Sequence, residues 1–487
     1  MRRGMGGTLA RSRVSVLLAL CLLLTSCGTV KNAYNSLVGG DTGPKPGQPG
    51  YVAGFLGGVA ADEPRAALVG RDILSAGGTA ADAAVAMGFM LAVTLPSRAG
   101  LGGGGACIAY APDRKSPNGG VPEAVMFTPL APASPGANAD RPAAVPMMVR
   151  GLFLLHARYG ARPFETLIVP AEQLARFGLT VSRALAQDLA LVSTPLLADP
   201  AAAAVFGRNG RALAEGDSLV QPDLAATLTQ LRVAGVGDMY QGTLARRIAD
   251  GSPLVGGPVS GDDLREALPR LQPPLFLTDR NDRVAFLPPP ADGGLAAAAA
   301  FRTLQANGSD FAGAAAQGLA AAARWRAGGG ATPEQILASS SLPPAGLPSL
   351  PASTSFAALD KDGNAVACAV TMDNLFGTGR ILPGLGFLAA ASPATVPPPL
   401  LAAGLAWNEH IHAFRAEAAG SGQAGAPMAV AVGLLNALRS GRAMSAPVPD
   451  PGRANVIVCD QYLPGDSNAC HWATDPRLPG LALGGGG

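Results

Sequence analysis

The stretch "STSFAALDKDGNAVACAVTMDNLFGTG" occupies Ser353–Gly379. Three consecutive hydroxyl residues open it. Two runs rich in small and β-branched residues follow, Ser355–Leu359 and Ala365–Thr371, with Asp362-Gly363 between them. That dipeptide between alternating runs signals a β-hairpin. A tight turn pairs Lys361 with Asn364 and sets Thr371 opposite Thr354, one residue from Ser353. Three hydroxyls are then expected at the open end of the hairpin, a neighbourhood that survives a one-residue slip in register.

A Ser or Thr hydroxyl is a weak nucleophile at neutral pH and needs a base beside it. When such a residue is the first of a chain, its own α-amine supplies the base, with a reference pKa of about 7.7–8.0. The hairpin would serve catalysis if the chain were cut before Ser353 or Thr354. The plainer structural role of these hydroxyls is to cap the strand and satisfy nearby backbone groups.

The surroundings fit a hairpin that follows a loose segment. Residues 326–352 are rich in Gly, Ser and Pro and read as an exposed loop. Further upstream, "EPRAALVGRDILSAGG" is an amphipathic helix stopped by Gly77-Gly78. "TAADAAVAMGFMLAVTLP" is apolar almost all round, so it reads as a buried helix. Residues 145–250 look mainly helical, and 270–290 hold short strands. Helix-rich layers around strands from both ends of the chain indicate an α+β or α/β sandwich of mixed sheets.

The chain has 487 residues, enough for a large core, and only 14% are charged. Residues 1–26 resemble an export signal: four Arg, then an apolar run too short to span a bilayer. Leu24-Thr25-Ser26-Cys27 resembles a bacterial lipoprotein processing box. Cys27 is thus the expected lipidated residue, on a flexible tether over residues 27–50. The expected location is the bacterial cell envelope, facing the periplasm, with acyl chains holding the body to a membrane. An ordinary signal peptide is the alternative. Without the leader's four Arg, 32 basic residues face 34 acidic ones, and nothing points to a nucleic-acid partner.

Cys459 and Cys470 bracket a short Pro/Gly/Asp loop that suits a local disulfide. Cys107 and Cys368 lie in apolar strand-like runs and read as buried free thiols. His410 and His412 lack a third ligand at suitable spacing, and Gly102–Gly105 lacks the Lys-Ser/Thr of a phosphate loop. No metal and no cofactor are expected.

Several motifs resemble the gamma-glutamyltransferase family. "GGTAADAAVAMGFMLAVTLPSRAGLGGGGACIAY" (Gly77–Tyr110) is similar to its early signature. "LDKDGNAVACAVTMDNLFGTGR" (Leu359–Arg380) is similar to the segment after its cleavage site, and "LPPPADGG" and "ATDPR" follow the same order. The resemblance implies the four-layered αββα sandwich of N-terminal-nucleophile (Ntn) hydrolases. It also implies self-cleavage into associated fragments, a large-subunit-like 51–352 and a small-subunit-like 353–487. Ser353 falls at the family's nucleophilic Thr, with Thr354 as the alternative, and Thr371 at the supporting hydroxyl. Gly422 and Gln423 approximate the oxyanion-binding Gly-Gly pair. Thr128 stands where the family's carboxylate-binding Arg belongs, and the acids that hold the glutamyl amine are missing after "FGTG". The implied substrate is a small amide or peptide, gamma-glutamyl or related. A catalytically degenerate lipoprotein with a binding or envelope role is the competing expectation.

Overall fold

The computed structural model describes residues 54–487 apart from 135, 137–138, 340, 348–351, 444–447, 449, 478 and 486–487. The expected signal, Cys27 and the tether lie outside the described residues. Among the described residues no helix is long and apolar enough to cross a membrane.

Thirteen strands build two antiparallel sheets. They are β1 (Gly57–Ala61), β2 (Gly104–Tyr110), β3 (Glu123–Phe127), β4 (Arg270–Gln272), β5 (Leu275–Asp279), β6 (Asp282–Phe286), β7 (Ser353–Asp360), β8 (Ala365–Thr371), β9 (Ala402–Asn408), β10 (Ala413–Ser421), β11 (Arg453–Leu463), β12 (Cys470–Ala473) and β13 (Leu481–Gly485). The first sheet runs β13-β1-β7-β8-β2-β3-β4 and the second β12-β11-β10-β9-β6-β5. Residues before and after 353 contribute strands to both sheets.

The period-2 alternation of each strand assigns its faces. Phe356 and Ala358 of β7 pack with the helices over the first sheet, including Pro64–Ser75, Ala80–Thr94 and Met148–Tyr159. Ala357 and Leu359 turn the other way and meet Leu405, Ala419 and Ile457 of the second sheet. Ala416, Ala418, Val456 and Val458 cover the outer face of that sheet against helices Gly293–Ala306 and Ala426–Ser440. The result is helix, sheet, sheet, helix: the αββα sandwich.

The Ala80–Thr94 helix is buried along all of its length, as its all-round apolar sequence predicts. Thr79 and Asp82 form a capping box at its start, and Asp82 also accepts the N–H groups of Ala161 and Arg162. Residues 326–352 are less loose than their composition suggests. Thr332 and Gln335 cap a short helix, Pro333–Ala338, whose Ile336 and Leu337 are buried.

The hairpin differs from its expected register by one residue. Ser353, not Thr354, stands opposite Thr371. The cause is Asp360, whose carboxylate accepts the Asp362 and Asn364 N–H groups and the Asn364 side-chain amide. The closing pair becomes Asp360–Asn364, around a three-residue loop with Gly363 at φ 85°. The same carboxylate accepts Ala80 N–H at 3.0 Å and so ties the hairpin to the buried helix.

Cys459 and Cys470 form a disulfide between β11 and β12. Cys107 and Cys368 are also joined, where free thiols were expected. The reason is strand order: β8 lies beside β2, and Cys368 stands directly opposite Cys107.

Candidate active site

Alternation along β7 separates the hydroxyls that the sequence groups together. Ser353 shares the face of Ser355, Ala357 and Leu359, which looks toward the second sheet; Thr354 faces the helical layer with Phe356 and Ala358. On β8, Thr371 shares the inter-sheet face with Ala369, Ala367 and Ala365. Ser353 and Thr371 are therefore directly opposite on one face, and Thr354 is on the other.

Thr371 Oγ1 donates to the Ala352 carbonyl at 2.9 Å and accepts the Asp373 N–H at 2.9 Å. It thus holds the carbonyl of the peptide bond that precedes Ser353. Ser353 itself is buried, and among the described residues its hydroxyl has no hydrogen-bond partner.

Thr354 is engaged differently. Its hydroxyl donates to Asp62 Oδ2 at 3.0 Å, and the same oxygen accepts the Ser355 N–H at 2.9 Å. Asp62 Oδ1 accepts the Asn455 amide at 2.9 Å. That amide also donates to the Ser355 carbonyl and hydroxyl, and Ser355 Oγ donates to the Ala419 carbonyl at 3.1 Å. Asp62, at the end of β1, therefore clamps the start of β7 to both sheets. Sequence reasoning missed Asp62 and Asn455; the only local signal is an acid placed where a buried strand gives way to a helix.

Contacts between the two sheets show which of their ends lie together. At the turn end of the hairpin, Gly363 packs on β11, where a Cβ would stand 2.5 Å from the Leu463 carbonyl oxygen. Toward the other end, Ser355 meets Ala419 and Asn455. One alternation step further along, Ser421 and Arg453 stand opposite each other in the second sheet, as Ser353 and Thr371 do in the first. Gly422 and Gln423 follow at once, with φ of 99° and 53°. They lead into the helical turn Gln423–Gly425 and the helix Ala426–Ser440. The leading N–H groups of a helical stretch have no acceptor within it.

Thr128 lies just beyond β3. Phe127 pairs with Gly105, and Gly104 pairs with Thr371, so Thr128 continues the row Ser353–Thr371–Gly104 across the first sheet. It brings no charge there. A cavity of about 420 Å³ opens beside the "FGTG" loop, but none of the three hydroxyls lines it. Its arginine, Arg141, donates to the Thr378 carbonyl.

Two carboxyls nearby have no charged partner. Burial raises Asp373 to about 8, and its Oδ1 has no hydrogen bond. Burial also drives Glu417, between the sheets on β10, well above the usual carboxylate range, and neither of its oxygens has a partner. At a value of about 8, Asp373 is largely protonated at neutral pH.

This sandwich, with a hydroxyl at the start of a central strand facing the second sheet, is the Ntn-hydrolase fold. Cephalosporin acylase from Bacillus halodurans superimposes with a TM-score of 0.72 at 20% identity, over 92% of this chain and 99% of that one. The family model for gamma-glutamyltranspeptidase matches residues 66–326, and the chain belongs to that family as a divergent member. The glutathione hydrolase proenzyme of Escherichia coli (strain K12) is 35% identical over 254 residues, which are 49% of this chain and 43% of that protein. The corresponding Bacillus subtilis (strain 168) protein is 33% identical over 251 residues, 49% and 42% of the two chains. The matches thus span less than half the length of these relatives. Helicobacter pylori gamma-glutamyltranspeptidase gives a TM-score of 0.50 at 26% identity, over 57% of this chain and 84% of that one. The family match ends before Ser353, so the roles of the hairpin residues rest on geometry.

Proposed function

We propose that this chain is an amide hydrolase or acyl transferase that frees its own nucleophile by breaking the Ala352–Ser353 bond. One observation carries the reading: an unengaged Ser353 hydroxyl lies across from Thr371, whose hydroxyl holds the carbonyl of that bond.

Ser353 Oγ attacks the Ala352 carbonyl carbon. The Thr371 hydrogen bond polarises this carbonyl and stabilises the negative charge that forms on its oxygen. Collapse breaks the C–N bond and leaves an ester on Oγ with Ser353 N as a free amine. Water then hydrolyses the ester and releases Ala352 as a carboxylate. In the processed protein the new α-amine takes the Oγ proton as the hydroxyl attacks a substrate amide, and passes it to the leaving amine. The acyl-enzyme is resolved by water or by an acceptor amine. The N–H groups at Gln423 are the donors for the substrate oxyanion. Thr354 is not the nucleophile in this scheme, because its hydroxyl is spent on Asp62 on the opposite face.

The substrate is a small amide or peptide, gamma-glutamyl or related. Export and lipidation at Cys27 belong to the same proposal and place the enzyme on the periplasmic side of the envelope. Palmitate labelling that vanishes in Cys27→Ala tests the anchor.

Mass spectrometry of the purified, reduced protein tests the function. A fragment beginning at Ser353, absent in Ser353→Ala, is expected. A wild-type chain still intact after prolonged incubation would instead favour a degenerate family member that only binds.

A further inference from the structure

Buried polar atoms without partners are rare in folded proteins, and each one asks for an explanation. Three of them cluster at one end of the second sheet: Ser421 Oγ, Arg453 Nε and Asn455 Oδ1. Ser421 and Arg453 are directly opposite in the β10–β11 ladder. Both occupy the inter-sheet face, the face of Ala419, Asn455 and Ile457. A hydroxyl and a guanidinium stand side by side, and neither is satisfied.

The charges around Arg453 are already committed. Asp62 and Asp475 attract it and Arg98 and Arg477 repel it, yet it forms no ion pair with either acid. Asp62 serves Thr354, Ser355 and Asn455. Asp475 pairs with Arg477, which also binds Asp450. Arg98 is held by Asp188 through two hydrogen bonds. Arg453 is the cation of this group left without a direct partner, and it is half-exposed where Ser421 is sealed. The pair therefore opens outward along the guanidinium.

We propose that Ser421 and Arg453 form a cradle for a carboxylate carried on the acyl part of the substrate. The proposal rests on the reading of Ser353 as the nucleophile. Two adjacent donors, one a planar fork, match the two oxygens of a carboxylate. An ammonium would find acceptors at Asn455 Oδ1 and Ser421 Oγ but would stand against the like charge of Arg453. Ser355 touches Ala419 and Asn455 across the sheets, and one alternation step along both strands turns Ser353 toward the Ser421–Arg453 pair, across sheets that pack about 10 Å apart. Once both side chains have reached in, a short acyl chain of about five carbons spans from the attacked carbonyl to the cradle.

Hydrolysis of glutaryl-p-nitroanilide and pentanoyl-p-nitroanilide by the processed full chain tests this. The two probes differ only in the terminal carboxylate. The wild type should favour the glutaryl compound in kcat/KM by at least about tenfold, as expected for a charge-assisted contact. Arg453→Met should bring the ratio toward one, and Arg453→Lys should restore part of it. A purely structural Arg453 would lower both rates in step and leave the ratio unchanged, which overturns the cradle. So does a wild type that treats the two probes alike. Calorimetry with glutarate and with pentanamide separates the two readings. An uncut, inactive chain that binds glutarate at least about tenfold more tightly than its Arg453→Met variant keeps the cradle and sinks the nucleophile. Glutarate no better bound than pentanamide sinks the cradle whatever the chain's activity.

Discussion

The two faces of strand β7 carry the same chemistry and opposite fates. Thr354 and Ser353 are adjacent hydroxyl residues, both buried. At Asp62, the Thr354 hydroxyl, the Ser355 N–H and the Asn455 amide N–H all find an acceptor. On the sheet side, Ser355 is bonded to Ala419 and Asn455 and Thr371 to the Ala352 carbonyl, while the Ser353 hydroxyl engages nothing and Ser421 Oγ, Arg453 Nε and Asn455 Oδ1 are left without partners. Donors that find their acceptor give position. A group of buried polar atoms that find none is held ready for something else. The single-residue period of the strand decides which hydroxyl belongs to which set.

The sharpest way to break this contrast is to remove one hydroxyl from each face. Ser353→Ala should abolish scission while leaving the melting temperature within about 2 °C, because it deletes an unengaged group. Thr354→Val should leave the cut site unchanged and cost about 1 kcal/mol, the value of one buried hydrogen bond. Loss of scission in Thr354→Val with retention in Ser353→Ala would exchange their roles. The next effect falls on the clamp. Asp62→Ala strands two donors in the interior, the Thr354 hydroxyl and the Ser355 N–H, takes one acceptor from the Asn455 amide, and should cost about 3 kcal/mol or more in urea unfolding. A cost below about 1 kcal/mol would mean that the network does not anchor β7.

A smaller effect sharpens the electrostatic side. The folded-state value of Asp373 is raised to about 8 from 3.8. The folded form therefore holds a proton that the unfolded chain has released. Its contribution is complete below about pH 4 and is lost as pH rises through about 8. Asp373→Asn should flatten the decline of stability between pH 5 and 8, and the flattening would be read from urea midpoints across that range. Glu417 obeys the same sign. Glu417→Met should raise the melting temperature by a few degrees, since an unsatisfied carboxyl costs about 1–3 kcal/mol; a lower melting temperature would show that the carboxyl is satisfied after all.

Much of the architecture was legible in the sequence. The hairpin, the all-round apolar helix at Ala80–Thr94 and the short strands before Pro288 follow from period and turn chemistry alone. The register was not, because Asp360 captures two N–H groups of the loop and lengthens it by one residue. That is a side-chain effect which the Asp-Gly signal does not contain. The pairing of Cys107 with Cys368 needed the strand order, since apolar runs 261 residues apart carry no sign of adjacency. No motif in the sequence marks Arg453. Only the ladder that sets it against Ser421 shows that two unsatisfied donors meet. Asp62 was hidden for the same reason, because its partners come from β7 and β11.

The Cys107–Cys368 bond crosses the point at which the chain is expected to open. One sulfur belongs to the stretch before Ala352 and the other to the stretch after Ser353. A matured protein would accordingly be two polypeptides stapled through their central strands, and dilution alone would not part them. On an unreduced denaturing gel it would migrate as one species, and thiol reagent would be needed to see two. Two species without reductant would show that the staple is open in solution.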